Sequence, residues 1–149
     1  MPISEGQADG AVNRDDTIFE LLQELNQRLS PKFERHAGIS FTRLRLLQEL
    51  YRLGPVSQNT LQRKVGIDAA AVTRHLKGLE ENGLIARGSD PADGRAILVS
   101  LTERGQNAMS SCREEKGRFL EQLLSGFKEE EVALLARMLE RLCGNIKQI

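Results

Sequence analysis

Apolar residues recur every three or four positions at Ile18, Leu22, Leu25, Leu29 and Phe33, a single stripe along a helix. Thr17 and Glu20 stand at capping-box spacing, so this helix is predicted to start near Asp15–Thr17 and to stop at Gly38. Ser40 opens a second helix whose apolar face holds Phe41, Leu44, Leu47 and Tyr51, and Gly54-Pro55 ends it. Pro55-Val56 reads as a short extended link. Ser57 caps a short third helix with Leu61 and Val65, which ends at Gly66. Asp68 caps a fourth, running to Asn82 and stopped by Gly83.

The period then changes. Leu84 to Gly88 reads as a strand, residues 89–94 are dense in turn formers, and Arg95 to Leu101 is apolar and β-branched, the return strand of a hairpin. Thr102 caps a long fifth helix carrying Ala108, Cys112, Phe119 and Leu123, with Gly105 a weak point near its start. Ser125-Gly126 breaks it. A sixth helix places Val132, Leu135, Leu139, Leu142 and Ile146 at alternating steps of three and four, a heptad-like seam. The chain shows no internal repeat and no low-complexity segment.

This order predicts a mainly α fold with a small β-hairpin wing: a winged helix-turn-helix flanked by long N- and C-terminal dimerisation helices. The winged part spans about residues 40–102, and the long helices about 15–37, 103–125 and 128–147. Residues 1–12 are expected to form a disordered tail, and residues 13–149 one domain. Three apolar stripes flank a small winged helix that cannot cover them alone, so the expected assembly is a two-fold homodimer.

Composition narrows the function. The 149 residues carry 21 Lys+Arg and 21 Asp+Glu, a formal net charge of zero, which argues against non-specific coating of nucleic acid. The balance is uneven along the chain. Residues 1–27 carry −5, residues 28–77 hold ten basic against three acidic side chains for +7, and residues 78–149 carry −2. A +7 stretch over the helix-turn-helix is the pattern of a polyanion-binding face. Hydrophobic residues make up 40%, enough for a core, and no apolar run reaches the ~18 residues of a membrane span. The polar N-terminus has no signal-like segment, and two cysteines cannot form a disulfide scaffold, so a cytoplasmic protein is expected.

A helix-turn-helix presents its second helix to the DNA major groove. On residues 69–82, Val72, Leu76 and Leu79 share the inward face. Ala70, Arg74, Lys77 and Glu81 lie opposite, with Thr73 at the edge. Small residues near the helix start allow close approach. Ala70 suits a thymine methyl, Arg74 a guanine O6 and N7, and Thr73 and Lys77 bases or phosphates. At the hairpin tip Arg95 suits a narrow minor groove, and Asp93 is placed to orient its guanidinium. A plain solvated helix face, and an ion pair that stabilises the turn without touching DNA, are the structural alternatives.

The residues that carry most information are Gly66-Ile67-Asp68-Ala69-Ala70-Ala71-Val72-Thr73-Arg74-His75-Leu76, then Leu79 through Arg87. Asp93-Gly94-Arg95 and Val99-Ser100-Leu101-Thr102-Glu103-Arg104-Gly105 follow. Together they resemble the MarR (multiple-antibiotic-resistance regulator) family of winged-helix transcription factors, over about Asp15 to Ile146. The resemblance implies a homodimer formed through the first, fifth and sixth helices. It implies that Thr73 and Arg74 meet the major groove and Arg95 the minor groove, and that Ser57 and Asn59 touch phosphate. The chain departs where the family often has Ser-Thr, at Ala70-Ala71, so hydroxyl contacts are lost there. Lys77 stands where an acidic residue is common.

The resemblance also implies release from DNA by a small, often aromatic or phenolic, ligand. Leu25, Leu29, His36, Leu47 and Tyr51 are the candidate lining residues, with His36 and Arg43 placed to hold a carboxylate. The competing reading makes these core residues and His36 a helix-end residue explained by the dipole. Cys112 and Cys143 raise a redox alternative, but both fall at apolar helical positions, and the reactive cysteine of peroxide-sensing members, near the start of the first helix, has no counterpart here. His36, His75, Cys112 and Cys143 share no metal-ligand spacing, and no cofactor motif appears. No phosphate loop or nucleophile elbow points to an enzyme. One Tyr, five Phe and no Trp leave little for stacking RNA bases. The expectation is a repressor with a pseudo-palindromic operator; a winged helix used only for protein interaction is the rival.

Overall fold

Four predicted N-caps organise the winged part. The computed structural model describes residues 6–149, with side chains from residue 13 onward. Its elements are α1 (Gly6–Ala37), α2 (Phe41–Leu53), β1 (Val56–Ser57), α3 (Gln58–Val65), α4 (Ala69–Glu81), β2 (Ile85–Ser89), β3 (Ile97–Leu101), α5 (Glu103–Leu123) and α6 (Glu129–Ile146). The Ser40, Ser57 and Asp68 side chains accept the amides of Arg43, Thr60 and Ala71, each three residues on. Thr102 accepts the Gly105 amide at 3.0 Å and donates its hydroxyl to the Gly83 carbonyl at 2.6 Å, tying the start of α5 to the approach to β2. Gly66 ends α3 in the left-handed region (φ 70°, ψ 30°), where a side chain would be strained.

The first helix differs from its predicted start. Of the expected tail, residues 1–5 lie outside the described residues, while from Gly6 the backbone is helical. Thr17 is no cap: its hydroxyl donates to the Asn13 carbonyl at 2.6 Å, one turn back inside α1. Pro31 lies within α1 and removes one backbone donor, yet the helix continues to Ala37.

The chain divides into two compact units, one ending at Glu115 and one running from Lys116 to Ile149. The core of the first is built around α2, which packs against α1, α3, α4 and β3. Leu44, Leu46, Leu47 and Leu50 are buried there, with Leu61 and Val65 of α3, Val72, Leu76 and Leu79 of α4, and Ile85 and Val99 of the sheet. The predicted α2 face needs correction. Leu46 and Leu50 are inside, whereas Phe41 and Tyr51 are exposed, because a helix with neighbours on several sides buries more than one stripe. Phe41 meets Phe33 of α1 with ring centroids 4.7 Å apart.

The hairpin is part of a three-stranded antiparallel sheet in the order β1-β3-β2. Val56 pairs with Val99, and Ile85 with Leu101 through Ser89 with Ile97. The link expected at Pro55-Val56 therefore supplies a short edge strand. In the second unit, Val132 and Leu135 of α6 are half-buried, and Leu134, Met138, Leu139, Leu142 and Ile146 are exposed. Among the described residues no helix is long and apolar enough to cross a membrane.

Candidate nucleic-acid interface

The orientation of α4 follows from its apolar face. Val72, Leu76 and Leu79 are at most 1% exposed, which pins the helix onto α2 and β2. Ala70, Thr73, Arg74 and Lys77 are consequently all exposed on the other side. A small residue, a hydroxyl, a guanidinium and an ammonium thus follow one another down one face. Glu81 is exposed as well, one turn beyond Lys77.

Neighbouring elements brace this helix. Arg87 of β2 donates through Nε and a terminal nitrogen to both carboxylate oxygens of Glu80, at 3.2 and 3.3 Å. That hydrogen bonding holds the Glu80 carboxyl below its usual range. From the other side Arg43 of α2 donates Nε–H to Nδ1 of His75 at 3.4 Å. Its guanidinium lies where a Cβ on Gly78 would stand, 2.5 Å from the nearest nitrogen. Gly78 is therefore the seat of Arg43, and α2 and α4 close over it.

Arg43 was expected to hold an effector carboxylate, and the structure instead turns it onto α4. Leu47, expected to line a cleft, is fully buried in the core. Of the remaining ligand candidates, Leu25 is exposed, Leu29 half-buried, and His36 exposed in the last turn of α1, where the helix dipole favours a base. Tyr51 borders a cleft of about 250 Å³ with Leu50, Gly54, Pro55, Ser100, Leu101 and Gln106.

His75 carries a testable pH effect. Burial, then the charges of Arg43 and Arg74, push its pKa below the ordinary 6.5. The folded state thus prefers neutral His75. Its contribution to stability is present above the unfolded pKa near 6.5 and is lost as pH falls from there through the lowered folded value. Denaturant midpoints for wild type and His75→Gln should diverge between about pH 7 and 5, the wild type alone losing this increment. Parallel pH curves would show that His75 is not the responsible group.

The wing tip is an ordered turn. Asp90 accepts the Ala92 amide at 2.9 Å and Asp93 accepts the Arg95 amide at 3.1 Å. Asp93 had been expected to meet the Arg95 guanidinium; its carboxylate takes the nearer backbone N–H instead, which shapes the turn. The Arg95 side chain is exposed and has no ion pair among the described residues. An open groove of about 420 Å³ is lined by Glu80, Arg87 and residues 88–89 and 94–97.

At the start of α3, Asn59 is exposed, whereas the Ser57 hydroxyl serves as cap and donates to Thr60 Oγ1 at 2.8 Å. Cys112 is buried, and burial, then Glu115, pushes its thiol pKa up, leaving little reactive thiolate. Cys143 is exposed on α6. The sequence assigned no role to Gln58 or Gly78, and placed Arg87 in a motif without its Glu80 partner. Gly78 left a signal, as a glycine inside a helix.

A helix-turn-helix with a three-stranded sheet and a wing behind it defines a protein of the winged-helix class. The MarR family model matches residues 39–97. The uncharacterized HTH-type transcriptional regulator YdgJ of Bacillus subtilis is 45% identical over 132 residues, covering 89% of this chain and 80% of YdgJ. The chain belongs to the MarR family. A probable transcriptional regulator from Pseudomonas aeruginosa has a similar structure, with TM-score 0.78 and 33% identity over 86% of this chain and 98% of that one. A mutant MarR from E. coli, crystallised with operator DNA, matches with TM-score 0.76 over 87% and 96% of the two chains; at 23% identity that likeness concerns the fold.

Proposed function

We propose that the protein is a cytoplasmic repressor that binds a pseudo-palindromic operator as a homodimer and leaves it when a small aromatic or lipophilic effector binds. The observation that carries the DNA reading is the partition of α4. Its three apolar residues are buried, and Ala70, Thr73, Arg74 and Lys77 are exposed together. In this reading α4 enters the major groove, Arg74 reads guanine, Arg95 enters the minor groove, and Asn59 with the helix start capped by Ser57 meets phosphate. The dimer reading is supported by exposed apolar side chains on both terminal helices, Ile18, Phe19 and Leu22 on α1 and Leu139, Leu142 and Ile146 on α6. Two recognition helices would then lie about one DNA turn apart, roughly 34 Å. Leu25, Leu29, His36 and Tyr51 are the candidates for effector contact, with the cleft beside Tyr51 as support.

The test is retention of genomic DNA fragments on the purified protein at two salt concentrations, followed by sequencing. A palindrome with half-sites one turn apart supports the reading. Retention without a common sequence, vanishing with modest salt, would favour a protein-interaction module instead. Arg95→Ala should weaken operator binding and lower the salt slope by about one per half-site, leaving the enriched sequence of the half-site core unchanged. Electrophoretic titrations across a salt series measure both quantities.

A further inference from the structure

Thr73 and Gln58 form a pair that links the two helices of the helix-turn-helix. Thr73 Oγ1 donates its one proton to the Ala69 carbonyl at 3.0 Å, one turn back in α4. The same oxygen accepts Nε2–H of Gln58, the first residue of α3, at 3.1 Å. Gln58 Oε1 is buried and unpartnered, and the bond to Thr73 is the one the amide makes among the described residues. Turning that amide over would only hand the Thr73 proton to Gln58; in either orientation the protein keeps it. A donor is what the acceptors at a major-groove edge require: guanine N7 and O6, adenine N7, thymine O4. The Thr73 hydroxyl has none to offer, and Gln58 already takes one of its two lone pairs. A threonine on a helix otherwise divides between two side-chain rotamers, and the bond from Gln58 selects one.

We infer that Thr73 reads DNA through its methyl group, not its hydroxyl, and that Gln58 is the positioning residue that makes it do so. Ala70 lies three residues earlier on the same exposed face, so the N-terminal end of α4 offers two methyl groups side by side, followed by Arg74. The base group that fits such a pair is the thymine 5-methyl. Each half-site therefore carries a thymine opposite Ala70 and Thr73, next to the base pair read by Arg74. This inference rests on the interface proposed above.

The experiment uses the enriched operator with each thymine of a half-site replaced in turn by uracil, which removes only the methyl. One such replacement should weaken wild-type binding by about fourfold, the size of one buried methyl contact. Thr73→Val, which keeps a methyl and lacks the hydroxyl, should retain the thymine preference, weakening by the same factor when uracil replaces thymine. Thr73→Ser, which leaves only the Ala70 methyl at this place, should lose less than wild type when uracil replaces thymine. Gln58→Ala should reduce the thymine preference, and Gln58→Ala combined with Thr73→Val should restore it, because valine holds one rotamer unaided. Loss of operator binding in Thr73→Val with retention in Thr73→Ser would overturn the inference, since the hydroxyl would then be the reading group. Absence of any enriched operator for wild type would instead overturn the DNA reading itself.

Discussion

Gly105→Ala is expected to lower the melting temperature by roughly 6–12 °C, corresponding to about 3 kcal/mol for a chain of this size. A Cβ at this position falls well inside contact distance of the Leu84 carbonyl oxygen and 3.1 Å from a Leu101 methyl. The carbonyl belongs to the backbone and cannot swing aside. It also accepts the Thr102 amide at 3.1 Å, so displacing it loosens the bond that starts α5 against the entry to β2. Overpacked side chains in a core adjust by changing rotamer; here the strands themselves would have to move. Gly117 on the same helix is the control, because a Cβ there meets nothing within 4 Å. Gly117→Ala should leave stability unchanged or raise it by about 0.5–1 kcal/mol. Thermal melts of the two variants measured side by side test the claim. Equal melting temperatures would mean that α5 can shift away from Leu84 at no cost.

Arg74→Ala is expected to cost about 1–3 kcal/mol per half-site on the operator, or about 5- to 150-fold each, while hardly changing affinity for a scrambled duplex. Arg74 is exposed in the middle of the outward face of α4, and no ion pair holds it among the described residues. Its fork of donors is therefore available for a bidentate contact with guanine. The backbone beneath it is held twice over: Arg43 braces the next residue, His75, and Arg87 grips Glu80 further along. Removing the guanidinium should thus leave the helix in place. Titrations against operator and scrambled DNA at one salt concentration separate base reading from charge. Equal losses on both duplexes would assign Arg74 to a phosphate and move base recognition elsewhere on the helix.

Much of this architecture is legible locally. Ser40, Ser57, Asp68 and Thr102 act as caps because a short polar side chain satisfies amides of its own following turn, an interaction within four residues of sequence. Gly66 and Gly83 end helices for an equally local reason, and the periodicity of Val72, Leu76 and Leu79 separates core from outward-facing residues. The motifs from Gly66 to Gly105 carried the family, and with it the regulatory class.

What stayed hidden depends on partners far apart in the chain. Val56 becomes a strand only because Val99 is there to pair with it. Gly105 looks like a helix defect until Leu84 arrives against it, and Gly78 until Arg43 fills its space. Periodicity on α2 pointed to Phe41 and Tyr51, yet Leu46 and Leu50 are inside, because burial depends on how many neighbours a helix has and not on its own pattern. Thr73 offered a hydroxyl in the linear reading. Fifteen residues earlier stands Gln58, whose amide the fold brings to that oxygen. Residue order along one helix thus settles which side chains face outward, since 3.6 residues per turn is a property of the backbone alone. Which of their atoms are still free to meet a ligand is settled by the contacts that folding adds.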